Sequence, residues 1–313
     1  MLSMTIAQTA LFAPERVETA EDLAPRVGRS AEWIRKRSGV RERRIWDGPV
    51  EVLAAEAVRG LGLSEPPDLL INCGLTPRQL IPDTSTFVAR ELGWSAMPCF
   101  SVHATCMGFL VGLQQAAALL ATGSYERIVL VAAERGSICR DFDQPESSVL
   151  IGDGAGAALI TRGEGALIDW RMKTFPEHAE LAQLEGCGVH RHPNDPETGP
   201  GHNLFHMAGP RLYRHGLKHM TQMLDDLFDD VDIAPEQVRA VVPHQASGPA
   251  MDAIVRYFSS EVVVDVVGAY GNCIAASMPM ALASVSSELE RGDHVVLMGT
   301  GAGLSVGAAL IRW

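Results

Sequence analysis

The sequence predicts an α/β protein made of two similar halves, and a repeat carries the prediction. Cys106 to Gly123 has helical composition, ends on glycine and leads into the β-branched run Arg127-Ile-Val-Leu-Val-Ala-Ala133. Cys273 to Gly292 behaves the same way and leads into His294-Val-Val-Leu-Met298. Each unit is followed by a glycine-rich strand closing on Ala-Ala-Leu-Ile, Gly152 to Ile160 in the first copy and Gly299 to Ile311 in the second. A helix and strand written twice with the same ending are what two like α/β halves leave in a chain. The length allows it, because 313 residues with 47% apolar and 20% charged content bury a large core.

Within the first copy, Cys106 stands where an apolar, strand-like segment gives way to a helix. First-turn amides lack intrahelical acceptors and carry the positive end of the helix dipole, so a thiol there is expected to have a lowered pKa and to act as a nucleophile. Later in the chain come His244, in Val241-Val-Pro-His-Gln-Ala-Ser247, and Asn272, in Gly268-Ala-Tyr-Gly-Asn-Cys273. Both are candidates to serve the same chemistry. Between the copies, about 172–205 is rich in Pro, Gly, His and acids without a sustained period, and reads as a long irregular connection. Its histidines, His178, His190, His192 and His202, show no helical i, i+4 pair and no Cys/His ligand spacing, so no metal is expected.

Composition excludes several classes of function. A net charge of −12 disfavours nucleic acid and anionic membrane surfaces as general partners. No apolar stretch approaches the ~20 residues of a membrane span, and Met1-Leu-Ser-Met-Thr-Ile6 does not open a signal peptide, so a cytoplasmic location is expected. The cysteines at 73, 99, 106, 139, 187 and 273 form no CxxC pair, which argues against a disulfide framework and a zinc site. The runs Gly152-Asp-Gly-Ala-Gly156 and Gly299-Thr-Gly-Ala-Gly303 have neither dinucleotide-binding nor P-loop spacing. Beside a nucleophile, such a run can bring backbone amides to a reacting carbonyl oxygen.

Taken in order, the motifs resemble the β-ketoacyl-acyl-carrier-protein synthase III family, condensing enzymes of the thiolase fold. The resemblance runs essentially end to end. It rests on Trp33-Ile-Arg-Lys-Arg-Ser-Gly-Val-Arg-Glu-Arg43, the Cys106 helix start, Gly152-Asp-Gly-Ala-Gly-Ala-Ala158, Met207-Ala-Gly209, Pro243-His-Gln-Ala246, Gly271-Asn272 with Ala275-Ala-Ser277, and Gly301 through Arg312. It implies a thiolase-like fold with the halves packed as a layered αβαβα sandwich, residues 1–170 carrying the nucleophile, 171–205 the connection and 206–313 the His and Asn.

The resemblance also implies roles. Cys106 takes an acyl group from acyl-CoA or an acyl carrier, and amides of Cys106 and Gly303 form the oxyanion hole. His244 and Asn272 donate hydrogen bonds to a malonyl-carrier thioester as it loses carbon dioxide, and neutral donors suit that step. No permanently bound cofactor is implied; coenzyme A and phosphopantetheine thioesters are substrates. Trp33 and Arg37 match positions that hold coenzyme A, but a second family arginine falls at Pro145. The family's His-Gln-Ala-Asn reads His244-Gln-Ala-Ser247, followed by Gly248-Pro249 where a basic side chain is common, so a specialised rather than housekeeping enzyme is expected.

Arg211, Arg214 and Lys218 share one helix face and, with Arg256, would dock an acidic acyl carrier protein; His215 and His219 on that helix add nothing to this docking reading. Ile81 and Phe87 lie in the segment that, in the family, walls the partner's acyl pocket across a homodimer. Two other chemistries fit the same residues. One is acyl transfer to an alcohol, amine or second thioester without malonyl decarboxylation; the other is a papain-like hydrolase, which the internal repeat opposes.

Overall fold

The computed structural model describes residues 1–313. The chain begins with β1 (Leu2–Phe12), β2 (Val17–Thr19), α1 (Ala20–Val27), α2 (Ala31–Ser38), β3 (Glu42–Arg44) and α3 (Val50–Arg59). It continues through β4 (Leu69–Asn72), α4 (Thr84–Glu91), β5 (Cys99–Ser101), α5 (Gly108–Thr122), β6 (Arg127–Glu134) and α6 (Pro145–Ser148). β7 (Gly154–Thr174) leads to β8 (Ala182–Gln183), β9 (His206–Met207), α7 (Gly209–Asp230), β10 (Val238–Pro243) and α8 (Gly248–Tyr257). α9 (Val267–Tyr270), α10 (Ser277–Val285), β11 (His294–Gly301) and β12 (Ser305–Arg312) complete it.

Eight strands join in the order β10-β11-β12-β7-β6-β4-β5, with β1 also paired to β7. β7 is the joint between the halves. Its first part pairs with β6 from Gly154 to Thr161, and its last part pairs with β12 from Ala166 to Thr174. The expected division at residue 170 therefore falls inside a 21-residue strand and is corrected: the second half's sheet already begins near Ala166.

Strand alternation sorts the side chains into layers. Ile128, Leu130 and Ala132 of β6 share one core with α5, α10, and Val295 and Leu297 of β11. The intervening Val129, Val131 and Ala133 face α3 and α4, while Val296 and Met298 face α7 and α8. The result is helix, sheet, helix pair, sheet, helix, the layered sandwich that the family resemblance implied. Thr105–Thr122 is long and apolar enough to cross a membrane, yet Phe109, Leu110, Leu113 and Ala116 lie in the central core.

The glycine-rich signatures explain how the halves close on each other. A Cβ at Gly156 would lie 2.7 Å from the Met280 backbone nitrogen of α10, and one at Gly301 would lie 2.6 Å from Thr105 Oγ1. Each half's run thus packs against the helix start of the other half.

Those helix starts set the true register of the repeat. Both open with a 3₁₀ turn, Thr105–Met107 and Ile274–Ala276, whose first residue has positive φ, 50° at Thr105 and 48° at Ile274. Cys106 therefore corresponds to Ala275, and not to Cys273 as the sequence match suggested. The connection is also more ordered than expected: β7 runs to Thr174, a 3₁₀ turn spans Pro176–Leu181, and Ala182 and Gln183 pair with Met207 and His206.

Candidate active site

A cavity of about 1790 Å³ opens where the halves meet, and Cys106, His244 and Asn272 all line it. Each side chain is held by a different local device. Cys106 sits in the 3₁₀ turn ahead of α5, where the close approach of Gly301 leaves its surroundings densely packed. The thiol is not activated by the helix start as expected. Burial, and behind it the charge of Glu134, push its pKa up to about 12, against the opposing hydrogen bonds of the Ala302 and Cys106 amides. Desolvation outweighs those bonds although Cys106 is only half-buried at the cavity wall.

The Ala302 backbone is also a candidate for the oxyanion site. The backbone group on the sulfur is that of Ala302, one residue before Gly303. Gly303, with φ of 125°, turns the chain between β11 and β12, and that bend brings Ala302 to the thiol. The first glycine-rich run supplies no such amide. Gly152 N donates to Asn272 O at 3.1 Å, Asn272 N donates to Leu150 O at 2.8 Å, and the run serves as the anchor of the Asn272 loop.

His244 follows the last residue of β10, and its backbone N donates to Met298 O of β11 at 2.8 Å. The neighbouring Gln245 fixes the turn, donating to Pro243 O and Val264 O and accepting from Val266 N. Burial pushes the His244 pKa down to about 4, with a smaller opposing effect of the Ile274 backbone, so the imidazole is neutral at pH 7. Asn272 is oriented by the Ile274 amide, which donates to Oδ1 at 2.8 Å. Nδ2 therefore donates to Ala246 O at 3.2 Å and keeps a second hydrogen for a ligand.

Glu134 was not singled out from the sequence. It ends β6 fully buried, and its carboxylate accepts from Leu75 N, Thr76 N and Thr76 Oγ1 at 2.6, 2.9 and 2.7 Å. Burial nevertheless raises its pKa to about 7 despite these bonds. The signal was present: a carboxylate closing the apolar run Ile128 to Ala133.

The peripheral candidates divide. Arg37 lines the cavity, but its guanidinium pairs with Glu146 at 3.1 Å, next to Pro145. Trp33 does not line it; it lies against the small core of α1 and α2 under Arg29. Ser247 caps α8 through Ala250 N, and Gly248 is required because a Cβ there would lie 2.8 Å from Gly39 Cα. Arg211, Arg214, Lys218 and Arg256 are exposed and make no ion pair, and Arg214 and Lys218 reach the cavity. Ile81 is 84% exposed and lies outside this chain's cavity. Phe87 is buried under Arg78 and Arg90 and does not line this chain's own cavity.

Known proteins share this fold. The profile of 3-oxoacyl-[acyl-carrier-protein] synthase III matches residues 100–175, and that of its C-terminal part matches 228–313. The β-ketoacyl-[acyl-carrier-protein] synthase III of Erythrobacter litoralis is 33% identical over 100% of both chains, and that of Aquifex aeolicus 31% over 98% of this chain and 99% of its own. The crystal structure of the Aquifex aeolicus enzyme superposes with a TM-score of 0.88 at 30% identity over 100% of both chains. That of Pseudomonas aeruginosa gives 0.91 at 28% over 99% of this chain and 98% of its own. OleA of Xanthomonas campestris, at 22% identity over 100% of both chains and a TM-score of 0.87, shares the fold. With both profiles matched and full-length relatives above 30% identity, this chain belongs to the β-ketoacyl-[acyl-carrier-protein] synthase III family and is a condensing enzyme of the acyltransferase type.

Proposed function

We propose that Cys106 accepts an acyl group from a thioester and that the same cavity then condenses it with a malonyl group on acyl carrier protein. The observation that carries this is the convergence of a thiol, a neutral imidazole and an oriented amide on one cavity. In the first step the Cys106 sulfur bonds to the acyl carbon and the donor's thiolate leaves, taking up the proton that Cys106 gives. A thiol with a pKa near 12 loses that proton only as the new bond forms. The Ala302 and Cys106 amides stabilise the oxyanion in between.

In the second step the malonyl thioester loses carbon dioxide, and the resulting enolate oxygen accepts hydrogen bonds from His244 and Asn272. Neutral donors stabilise that charge without holding the carboxylate in place as a cation would. The enolate carbon attacks the acyl-Cys106 carbonyl, and the sulfur leaves as thiolate and takes a proton from water. Acyl transfer without decarboxylation uses Cys106 but has no need of paired donors facing an enolate.

Substrate delivery follows from charge. Arg37 is occupied by Glu146 and Pro145 replaces an arginine, so coenzyme A meets a weaker clamp than in relatives with both cations. Arg211, Arg214, Lys218 and Arg256 are unpaired, with half-exposed Tyr213 and Leu217 beside them, a surface suited to an acidic carrier protein and its phosphopantetheine arm. The exposed Leu80 and Ile81 suit burial against a second copy in a cytoplasmic homodimer.

Intact-mass screening against acyl-CoA and acyl-carrier donors tests the first step and names the donor. Release of carbon dioxide from malonyl carrier by the loaded enzyme tests the second. Loaded enzyme that leaves malonyl carrier intact while acylating an alcohol or amine would overturn the condensation.

A further inference from the structure

Outside the catalytic cavity, the structure gathers three histidines that the sequence leaves apart. His215 and His219 lie one turn apart on α7, and His178 comes from the 3₁₀ turn Pro176–Leu181 in the connection between the halves. One ring nitrogen from each falls within 4.8 Å of the others. The His178 and His215 ring centroids are 4.0 Å apart, and His219 is stacked on Phe175 at 3.6 Å with an interplanar angle of 17°. No ring nitrogen of the three makes a hydrogen bond or ion pair, although hydrogen bonds hold His192, His202 and His206 elsewhere. Half-buried imidazoles packed together with their lone pairs unused are a donor set without an acceptor.

We propose that His178, His215 and His219 form a binding site for a divalent transition metal of the zinc class, fastening the inter-half connection to α7. The i, i+4 pair places two imidazoles on one helix face, and the third closes the triangle from a separate segment. At Zn–N bonds of ~2.0–2.1 Å, tetrahedral ligand nitrogens lie about 3.3 Å apart, so closure needs side-chain rotations of an ångström or so. Imidazole nitrogens without carboxylate or carbonyl oxygens select zinc, nickel or copper over magnesium and calcium. Lys173, Lys218, Arg211 and Arg214 oppose a cation here and Glu177 favours one, so the affinity is that of three ligands moderated by local positive charge.

The expectation of no metal considered the connection's histidines alone, and the fold sets one of them beside a helical pair. Chain separation hid the third ligand: His178 is 37 residues before His215 in sequence. The consequence reaches the catalytic cavity. Ala182 and Gln183, just beyond the 3₁₀ turn, and the first turns of α7 both line it, so a metal here braces one wall without touching the reacting atoms.

The test uses the full-length chain without a histidine tag, stripped with chelator and titrated calorimetrically with zinc chloride, with magnesium chloride as control. The expected result is a saturable zinc site at one per chain that raises the melting temperature, weakened at least tenfold in both His178→Ala and His219→Gln. Cobalt loading is expected to give visible d–d bands without a near-ultraviolet thiolate band, which separates this site from Cys139 and Cys187. Metal-free melting of both variants is compared first, and either one that matches the parent chain suffices for the comparison. Zinc binding equal to the parent in a folded variant, a thiolate band, or no saturable binding would each overturn the site. None of these results bears on acylation of Cys106, so failure here is distinguishable from failure of the condensing reaction.

Discussion

The two helix starts at the centre of the molecule share a backbone and differ in what they carry. Thr105-Cys-Met107 and Ile274-Ala-Ala276 are both 3₁₀ turns opened by a residue at φ near 50°, and both face a glycine-rich run from the opposite half. The first places a thiol at the middle position. The second places a methyl group there and has its polar side chain, Asn272, earlier, with Oδ1 held by the amide of Ile274. A duplicated scaffold thus presents one site twice, and the proposed chemistry divides: a covalent carrier from one half, neutral donors from the other. The shared geometry is a property of the fold, and the division is a property of a few side chains.

Cys106→Ala erases the difference by giving the first turn the residue of the second. Acylation and condensation are both expected to vanish, a loss of at least about four orders of magnitude in rate, because the thiol proposed to carry the acyl chain is gone. The backbone already tolerates alanine in the same turn at Ala275, so the melting temperature is expected to stay near that of the parent. An acyl adduct persisting on the variant in intact-mass analysis would show that the nucleophile lies elsewhere.

Asn272→Ala probes the other half. Removing one donor to a developing oxyanion costs about 10²–10³ in rate, and that loss is expected in the condensation while acylation of Cys106 proceeds. Single-turnover assays separate the two steps. Equal loss in both would mean that Asn272 supports the cavity as a whole rather than the enolate.

The layers and the cavity-lining thiol of this comparison were legible in the sequence because they repeat or occur in apolar runs. Periodicity gave the helices and strands of both halves, and the repeated Ala-Ala-Leu-Ile ending gave their kinship. What was not legible depended on distance or burial. The two-residue shift from Cys273 to Ala275 needed backbone angles, the step from Gly303 to Ala302 needed the bend after β11, and the raised Cys106 pKa needed knowledge of what encloses the sulfur. Glu134 shows the same limit: its place at a strand end is visible in the sequence, but its bonds to Leu75 and Thr76 join residues 59 and 58 positions apart.

The contact between the halves can be broken at its tightest point. Gly156 faces the Pro279 and Met280 backbone, where even a Cβ would come within 2.7 Å. Gly156→Val forces that interface apart, and overpacking of this kind costs about 1–3 kcal/mol. Urea unfolding measures it. An unchanged midpoint would mean that α10 shifts without cost and that the glycine signature does not set the spacing of the layers.

The smallest effect concerns a buried pair of titrating groups, Glu134 in the first half and His244 in the second, which oppose each other. The Glu134 pKa is raised from 4.5 to about 7, so the folded chain holds a proton that the unfolded chain releases. Its contribution to stability falls as pH rises from 4.5 to 7. The His244 pKa is lowered from 6.5 to about 4, so there the unfolded chain holds the proton. Its contribution rises with pH between 4 and 6.5, and over the shared window the two slopes partly cancel.

Glu134→Gln removes one side of the balance while keeping the shape of the side chain. The parent-minus-variant difference in unfolding free energy is expected to fall with rising pH between 4.5 and 7, leaving the variant with the upward slope of His244 exposed. The same substitution removes a charge that raises the Cys106 pKa, so iodoacetamide labelling at about pH 8 is expected to be faster in the variant. A flat difference curve with unchanged labelling would mean that Glu134 is already neutral across this range. The loop at Leu75 and Thr76 would then be held by a protonated carboxyl, and the two halves would not be balanced against each other by charge.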